Sequence, residues 1–253
     1  CQAEADKMVT NLFGAVLSVI WSLITDNWSL KKVSIKENIK KIKEDIEKYK
    51  TCPGEVLLLG VTKGVSSERI REAYDCGIRD FGENYLQEAI NKMDELRDLP
   101  LRWHFIGHLQ TNKARKVAER FSIVQSVDNF KLACALNDRT EGKILDILLQ
   151  IDFTGRDNRT GFNPAHLEEV EKILQLPHIK VRGLMSMAPF LPDPEDSRPY
   201  FRKVKDLAIE LKEKFGLEAN YLSMGMTGDY KVALSEGANL IRVGSGIFGP
   251  RTY

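Results

Sequence analysis

A single (β/α)8 barrel is the fold class this sequence predicts, and three observations predict it. Apolar strand-like runs occur near residues 56–62, 78–82, 102–107, 122–126, 144–152, 179–186, 220–224 and 239–243. Helix-like segments separate successive runs, the alternation that builds a parallel sheet. The two turns richest in small residues follow the seventh and eighth runs, where such barrels often place a phosphate site. The competitor is an open doubly wound sheet, which carries a G-x-G-x-x-G turn directly after its first strand. Here Gly64 stands alone at that point and the glycine-rich turns lie at the other end of the chain.

Taken in order, the first 32 residues stand outside this alternation. Met8 to Ile24 is uncharged and mostly apolar, but Thr10, Asn11, Ser18 and Ser22 interrupt it and it is short for a membrane span. Glu4 and Asp6 offset Lys7, which is the wrong flank for a secretory signal, and no small-residue cleavage site follows before Trp28. The readings are an extra N-terminal helix on the domain, an upstream extension with the natural start near Val33, and, ranked last, a membrane anchor. The barrel domain is expected over 33–253. Ser34-x-x-Glu37 matches a capping box, and Ile35, Ile39, Ile42, Ile46 and Tyr49 draw one apolar stripe for docking a helix. Ser66 suits the cap of a helix carrying Ile70 and Ala73, and Pro164 suits a helix start before Leu167 and Val170. Ser197 precedes a long helical run toward Phe215 that stops at Gly216, after a connector holding Pro189, Pro192, Pro194 and Pro199 near its end.

Composition limits the function classes. In 253 residues, 37 basic against 36 acidic side chains give a net charge of +1, so no general electrostatic footprint for nucleic acid is present. Cys1, Cys52, Cys76 and Cys134 are scattered without a C-x-x-C pair, which reads as reduced thiols in a cytoplasmic protein.

The chemistry-bearing residues cluster at predicted strand ends. Lys63 closes Val56-Leu57-Leu58-Leu59-Gly60-Val61-Thr62-Lys63, and a partly desolvated amine there can form a Schiff base with an aldehyde. Its plainer reading is a solvated head on an apolar stem. Leu222-Ser223-Met224-Gly225-Met226-Thr227-Gly228-Asp229 and Gly244-Ser245-Gly246 supply hydroxyls and close backbone approach, enough to surround phosphate oxygens, with a following helix N-terminus to add dipole. Either turn alone reads as an ordinary tight turn. Asn84 at the second strand's end can place its amide near a bound ligand or cap a helix, Glu83 can orient Lys63 or a water or cap a helix, and Met185, Met187, Met224 and Met226 offer apolar walls or core packing. His104 and His108 flank Ile106-Gly107 at a strand end with no third ligand, so no metal site is expected; His104 reads as a satisfied core residue.

In their order, Val61-Thr62-Lys63, Phe81-Gly82-Glu83-Asn84-Tyr85, Trp103-His104-Phe105-Ile106-Gly107-His108-Leu109-Gln110, Gly183-Leu184-Met185, Leu222-Ser223-Met224-Gly225-Met226 and Arg242-Val243-Gly244-Ser245 resemble the pyridoxal phosphate homeostasis protein family, relatives of the alanine racemase barrel domain. The resemblance runs from about Val33 to Gly249. It implies pyridoxal 5'-phosphate as cofactor, held on Lys63 as an internal aldimine, with Ser223, Gly244 and Ser245 at its phosphate and Arg242 at its pyridine nitrogen. An arginine there keeps the ring nitrogen unprotonated and weakens the cofactor as an electron sink. Two-domain racemases draw a second base from a further β-domain and a partner subunit, while only Pro250 to Tyr253 follow Gly249 here. The expectation is therefore a monomeric carrier that buffers or delivers the cofactor, with apoenzymes as recipients. The alternatives are weak amino-acid racemization and a cofactor-free Schiff-base aldolase. Arg156 and Arg159 replace acidic and lysine positions more usual in their loop, a departure from the family pattern.

Overall fold

In the computed structural model, residues 34–140, 142–155, 160–164 and 167–250 are described. The readings made for residues 1–32 and for Arg156 and Arg159 lie outside them. The chain divides between Cys1–Ser34 and Ile35–Tyr253, and the second unit carries the fold.

Eight parallel strands close into a barrel in chain order: β1 (Leu57–Val61), β2 (Asp80–Glu83), β3 (Arg102–Phe105), β4 (Ile123–Val127), β5 (Leu145–Ile151), β6 (Ile179–Ser186), β7 (Tyr221–Met226) and β8 (Leu240–Val243). Closure is direct, with Leu57 to Gly60 of β1 in register with Leu240 to Val243 of β8. Each strand falls within an expected apolar run or within three residues of its edge, because β-branched and leucine-rich stretches buried on both faces suit a parallel sheet. The helices are α1 (Ile35–Tyr49), α2 (Ser67–Asp75), α3 (Leu86–Glu95), α4 (Ala114–Arg120), α5 (Phe130–Asn137), α6 (Glu168–Leu174), α7 (Arg198–Phe215), α8 (Tyr230–Ser235) and α9 (Ser245–Phe248).

The apolar stripe of α1 behaves as its spacing requires: Ile35, Ile39, Ile42 and Ile46 are all buried. That helix packs against the elements following β7 and β8, with Asn38 Nδ2 donating to the Ile247 carbonyl at 2.9 Å and Tyr230 Oη donating to Asp45 at 2.6 Å. α7 ends at Gly216 in a left-handed conformation (φ 68°), the geometry a glycine C-cap provides. Two helix starts differ from expectation. Ser66 occupies the N-cap of α2, but its hydroxyl bonds Glu68 instead of a backbone N–H. α6 begins at Glu168 and not at Pro164.

The barrel interior departs from the aliphatic filling usual in this architecture. Ile123, Leu148 and Met185 form a small apolar cluster. Beside it runs a polar line in which Ser223 of β7 bonds Gln125 of β4, a contact that must cross the lumen because those strands are not neighbours. Among the described residues no helix is long and apolar enough to cross a membrane.

Candidate functional site

Lys63 follows β1 directly, in the turn Thr62-Lys63-Gly64, and is half-buried. Among the described residues it has no hydrogen-bond or ion-pair partner. Its flanking peptides are held firmly. Thr62 N donates to the Gly82 carbonyl at 3.0 Å and Thr62 Oγ1 to Glu83 Oε1 at 2.6 Å. Lys92 of α3 donates to the Thr62 carbonyl at 2.6 Å, to Glu83 at 2.7 Å and to Glu88 at 2.6 Å, which uses all three ammonium protons. Glu88 in turn accepts from Gly64 N at 2.6 Å. One lysine is thus spent as a buried brace on the Thr62 carbonyl, while Lys63, the next residue, has no partner among the described residues.

Glu83 is not a helix cap. It is fully buried under the Lys63 turn, and burial raises its pKa against the opposing hydrogen bonds from Lys92 and Thr62. Neither does Asn84 cap α3, whose N-cap position is Tyr85 without a side-chain bond. Among the described residues Asn84 Oδ1 and Glu83 Oε2 are buried without a hydrogen-bond partner, an arrangement that is costly unless a ligand donor supplies the bond. Gly107 is needed behind Asn84, because a Cβ at 107 would sit 2.1 Å from the Asn84 carbonyl oxygen.

Arg242 of β8 is buried and forms no ion pair among the described residues. Its Nη1 donates to the Ser223 carbonyl at 2.7 Å and to Ser223 Oγ at 2.6 Å, and Nη2 to the Ser186 carbonyl at 2.9 Å. Burial lowers its pKa to about 10, opposed by the charge of Asp229, so the guanidinium is still cationic at neutral pH. Asp229 itself accepts from Met226 N at 2.6 Å and is raised by burial.

The turns after β7 and β8 meet. Gly246 N donates to Thr227 Oγ1 at 3.2 Å, and Ser245 Oγ, exposed, lies 3.4 Å from the same oxygen. Gly244 approaches the Val61 carbonyl so closely that a Cβ would be 3.3 Å from it. This cup therefore carries the hydroxyls of Thr227 and Ser245 beside the amides of Gly244 to Gly246. The expected hydroxyl of Ser223 is elsewhere: fully buried and committed to Gln125 and Arg242. Gly225 (φ 90°) is required by a neighbouring helix, since a Cβ would be 2.6 Å from Ala233 Cβ of α8. α9 has only four residues, so the dipole expected from it is small. Met185 and Met224 are buried in the core, whereas Met187 and Met226 line a cavity of about 560 Å³ between the loops after β5, β6 and β7, together with Gln150, Asp152, Phe190 and Asp229.

His104 is a core residue with both ring nitrogens bonded, to Asp80 and to Gln125, each at 2.9 Å. His108 lies outside that set, 3.7 Å from Asp128. Among the described residues no group of three potential metal ligands occurs. Asp80, Lys92 and Gln125 escaped the sequence reading; the available signal was a polar residue interrupting an apolar strand, as in Ile123-Val124-Gln125-Ser126-Val127.

Residues 32–252 match the family described as alanine racemase, N-terminal domain. A pyridoxal phosphate homeostasis protein of Aquifex aeolicus is 40% identical over 220 residues, covering 86% of this chain and 95% of its own. The chain belongs to the pyridoxal phosphate homeostasis protein family. Another member, from Escherichia coli strain K12, is 35% identical over 235 residues, covering 87% of this chain and 97% of its own. Among solved structures, PipY of Synechococcus elongatus with pyridoxal phosphate bound superimposes with a TM-score of 0.78 at 38% identity, over 85% of this chain and all of PipY. An alanine racemase of Clostridium difficile, at 12% identity and a TM-score of 0.69 over 87% of this chain and 57% of its own, shares the fold.

Proposed function

We propose that this protein binds pyridoxal 5'-phosphate and serves its homeostasis, with Lys63 holding the cofactor through a Schiff base. The observation that carries this reading is Lys63 itself: half-buried at a strand's carboxyl end, its turn braced on both sides, its own amine without a partner among the described residues. The surrounding groups fit the cofactor. The hydroxyls of Thr227 and Ser245 present neutral donors suited to a phosphate, with Gly246 N holding Thr227 in place. Arg242 offers a guanidinium that stays charged at neutral pH, and Asn84 offers an unsatisfied carbonyl oxygen for a ring substituent. The presence of the cofactor in PipY and the family name of the relatives support the same assignment.

Bound pyridoxal phosphate supplies an aldehyde that condenses with amines and a ring that accepts electrons. Lys63 would hold the group through its amine, which has no partner among the described residues. Arg242 would stand at the ring nitrogen with a proton it does not give up, so electron withdrawal through the ring would be weak, which favours storage and delivery over turnover. The recipients are apoenzymes that use this cofactor. The cofactor-binding unit is residues 33–253, working as a monomer in the cytoplasm, with residues 1–32 an extension.

The test is the visible spectrum on addition of pyridoxal phosphate, before and after borohydride, with peptide mapping of the adduct. A band lost on reduction and a pyridoxyl group on Lys63 are expected; no saturable band from a folded protein would reject the reading. Exchange of the α-hydrogen of alanine in D2O separates carrier from racemase, and none above that of free cofactor is expected.

A further inference from the structure

A line of hydrogen bonds crosses the barrel from one end of β2 to Arg242. Arg102 Nη2 donates to Asp80 Oδ2 at 2.7 Å, and His104 Nε2 lies 2.9 Å from Asp80 Oδ1. Gln125 Nε2 lies 2.9 Å from His104 Nδ1, Ser223 Oγ lies 2.6 Å from Gln125 Oε1, and Arg242 Nη1 lies 2.6 Å from Ser223 Oγ. His104, Gln125 and Ser223 have no solvent exposure. Water therefore cannot replace any link in the middle of the line.

The direction of every bond follows from one end. A guanidinium only donates, so Ser223 Oγ accepts from Arg242 and its single proton goes to Gln125 Oε1. The Gln125 amide must then turn its NH2 toward His104, whose Nδ1 has to accept. The imidazole proton consequently sits on Nε2 and is donated to Asp80. The opposite amide orientation would leave the Ser223 proton without an acceptor and set an imidazole lone pair against the Asp80 carboxylate. Only one arrangement satisfies all five groups, and it ends with the Ser223 hydroxyl held as an acceptor for Arg242.

We propose that Gln125 is a positioning residue that, set by His104 and Asp80, fixes the Ser223 hydroxyl as an acceptor and so locks the orientation in which Arg242 meets the cofactor's ring nitrogen. This rests on the pyridoxal phosphate reading for its final clause. With the Ser223 and Ser186 carbonyls, the hydroxyl gives the guanidinium three fixed acceptors, and without Gln125 the hydroxyl proton has no assigned acceptor and can rotate toward the cation.

Two measurements test it. In the ligand-free protein, nitrogen NMR of the histidine rings should show His104 neutral with its proton on Nε2; a proton on Nδ1 would overturn the relay whatever the cofactor does. In the loaded protein, Gln125→Met should still give the borohydride-trapped adduct on Lys63, while the resonance of ¹⁵N-labelled pyridine nitrogen moves and cofactor retention weakens about tenfold. An unchanged pyridine resonance with unchanged retention would overturn the positioning role. If Gln125→Met does not fold, Ser223→Ala removes the same link and is read by the same resonance, with the same two outcomes. Failure of the wild-type protein to take up pyridoxal phosphate would reject the cofactor reading and with it the final clause, while the His104 tautomer decides the relay separately.

Discussion

At the scale of single residues, the site rests on a division of labour between two lysines. Lys92 is saturated by one carbonyl and two carboxylates, and Lys63 has no partner among the described residues. Lys63→Ala should therefore abolish the reducible adduct while changing unfolding free energy by no more than about 0.5 kcal/mol, as for a side chain that holds nothing else in place. Retained adduct on another lysine, seen by peptide mapping, would contradict the assignment. Gly107 has the opposite character: it has no side chain to offer a ligand, but a Cβ there would overlap the Asn84 backbone. Gly107→Ala is expected to cost about 1–3 kcal/mol in urea denaturation and to weaken cofactor retention through displaced Asn84. Lost stability with unchanged retention would remove Asn84 from the site.

Between elements, the helix that precedes the barrel supports the cup at its far end. α1 buries four isoleucines and reaches the carbonyl of Ile247 in α9, whose first residue, Ser245, belongs to the cup. Ile39→Ala removes a large buried side chain and should cost about 2–5 kcal/mol. Because α1 packs on α8 and α9, the loss should also loosen cofactor retention, measured as the dissociation rate after dilution. Loss of stability with an unaltered rate would separate the helix from the cup. The periodicity of α1 was fully legible in the residue pattern, since every fourth or third residue is isoleucine. That it braces the turns after β7 and β8 was not, because the contact joins residues 209 apart.

For the whole molecule, the polar line through the lumen makes stability depend on pH. Burial pushes the His104 pKa below its usual 6.5, against the raising effect of Asp80. As pH falls below about 6.5 the unfolded chain protonates this histidine and the folded chain does not, so stability falls with pH, by at most about 1.4 kcal/mol per unit, until the folded pKa is reached. Burial would raise Asp80, but hydrogen bonds from His104 and Arg102 outweigh it and hold the carboxyl below its usual range. Its contribution is present above about pH 4 and is lost as pH falls through the folded value. Urea unfolding across pH should show the first of these slopes in the wild type and not in His104→Gln; parallel curves would mean that His104 titrates alike in both states. The sequence by itself determined the eight strands, the stripe of α1, the cap at Gly216 and the position of Lys63, because each is written in local periodicity or in one residue's place at a strand end. Tertiary structure alone decided that Ser223 turns inward to Gln125 while Thr227 faces the cup, and that Glu83 and Lys92 brace Lys63. Those assignments depend on which strands oppose one another across a closed lumen, and that pairing over 98 residues leaves no trace in local sequence.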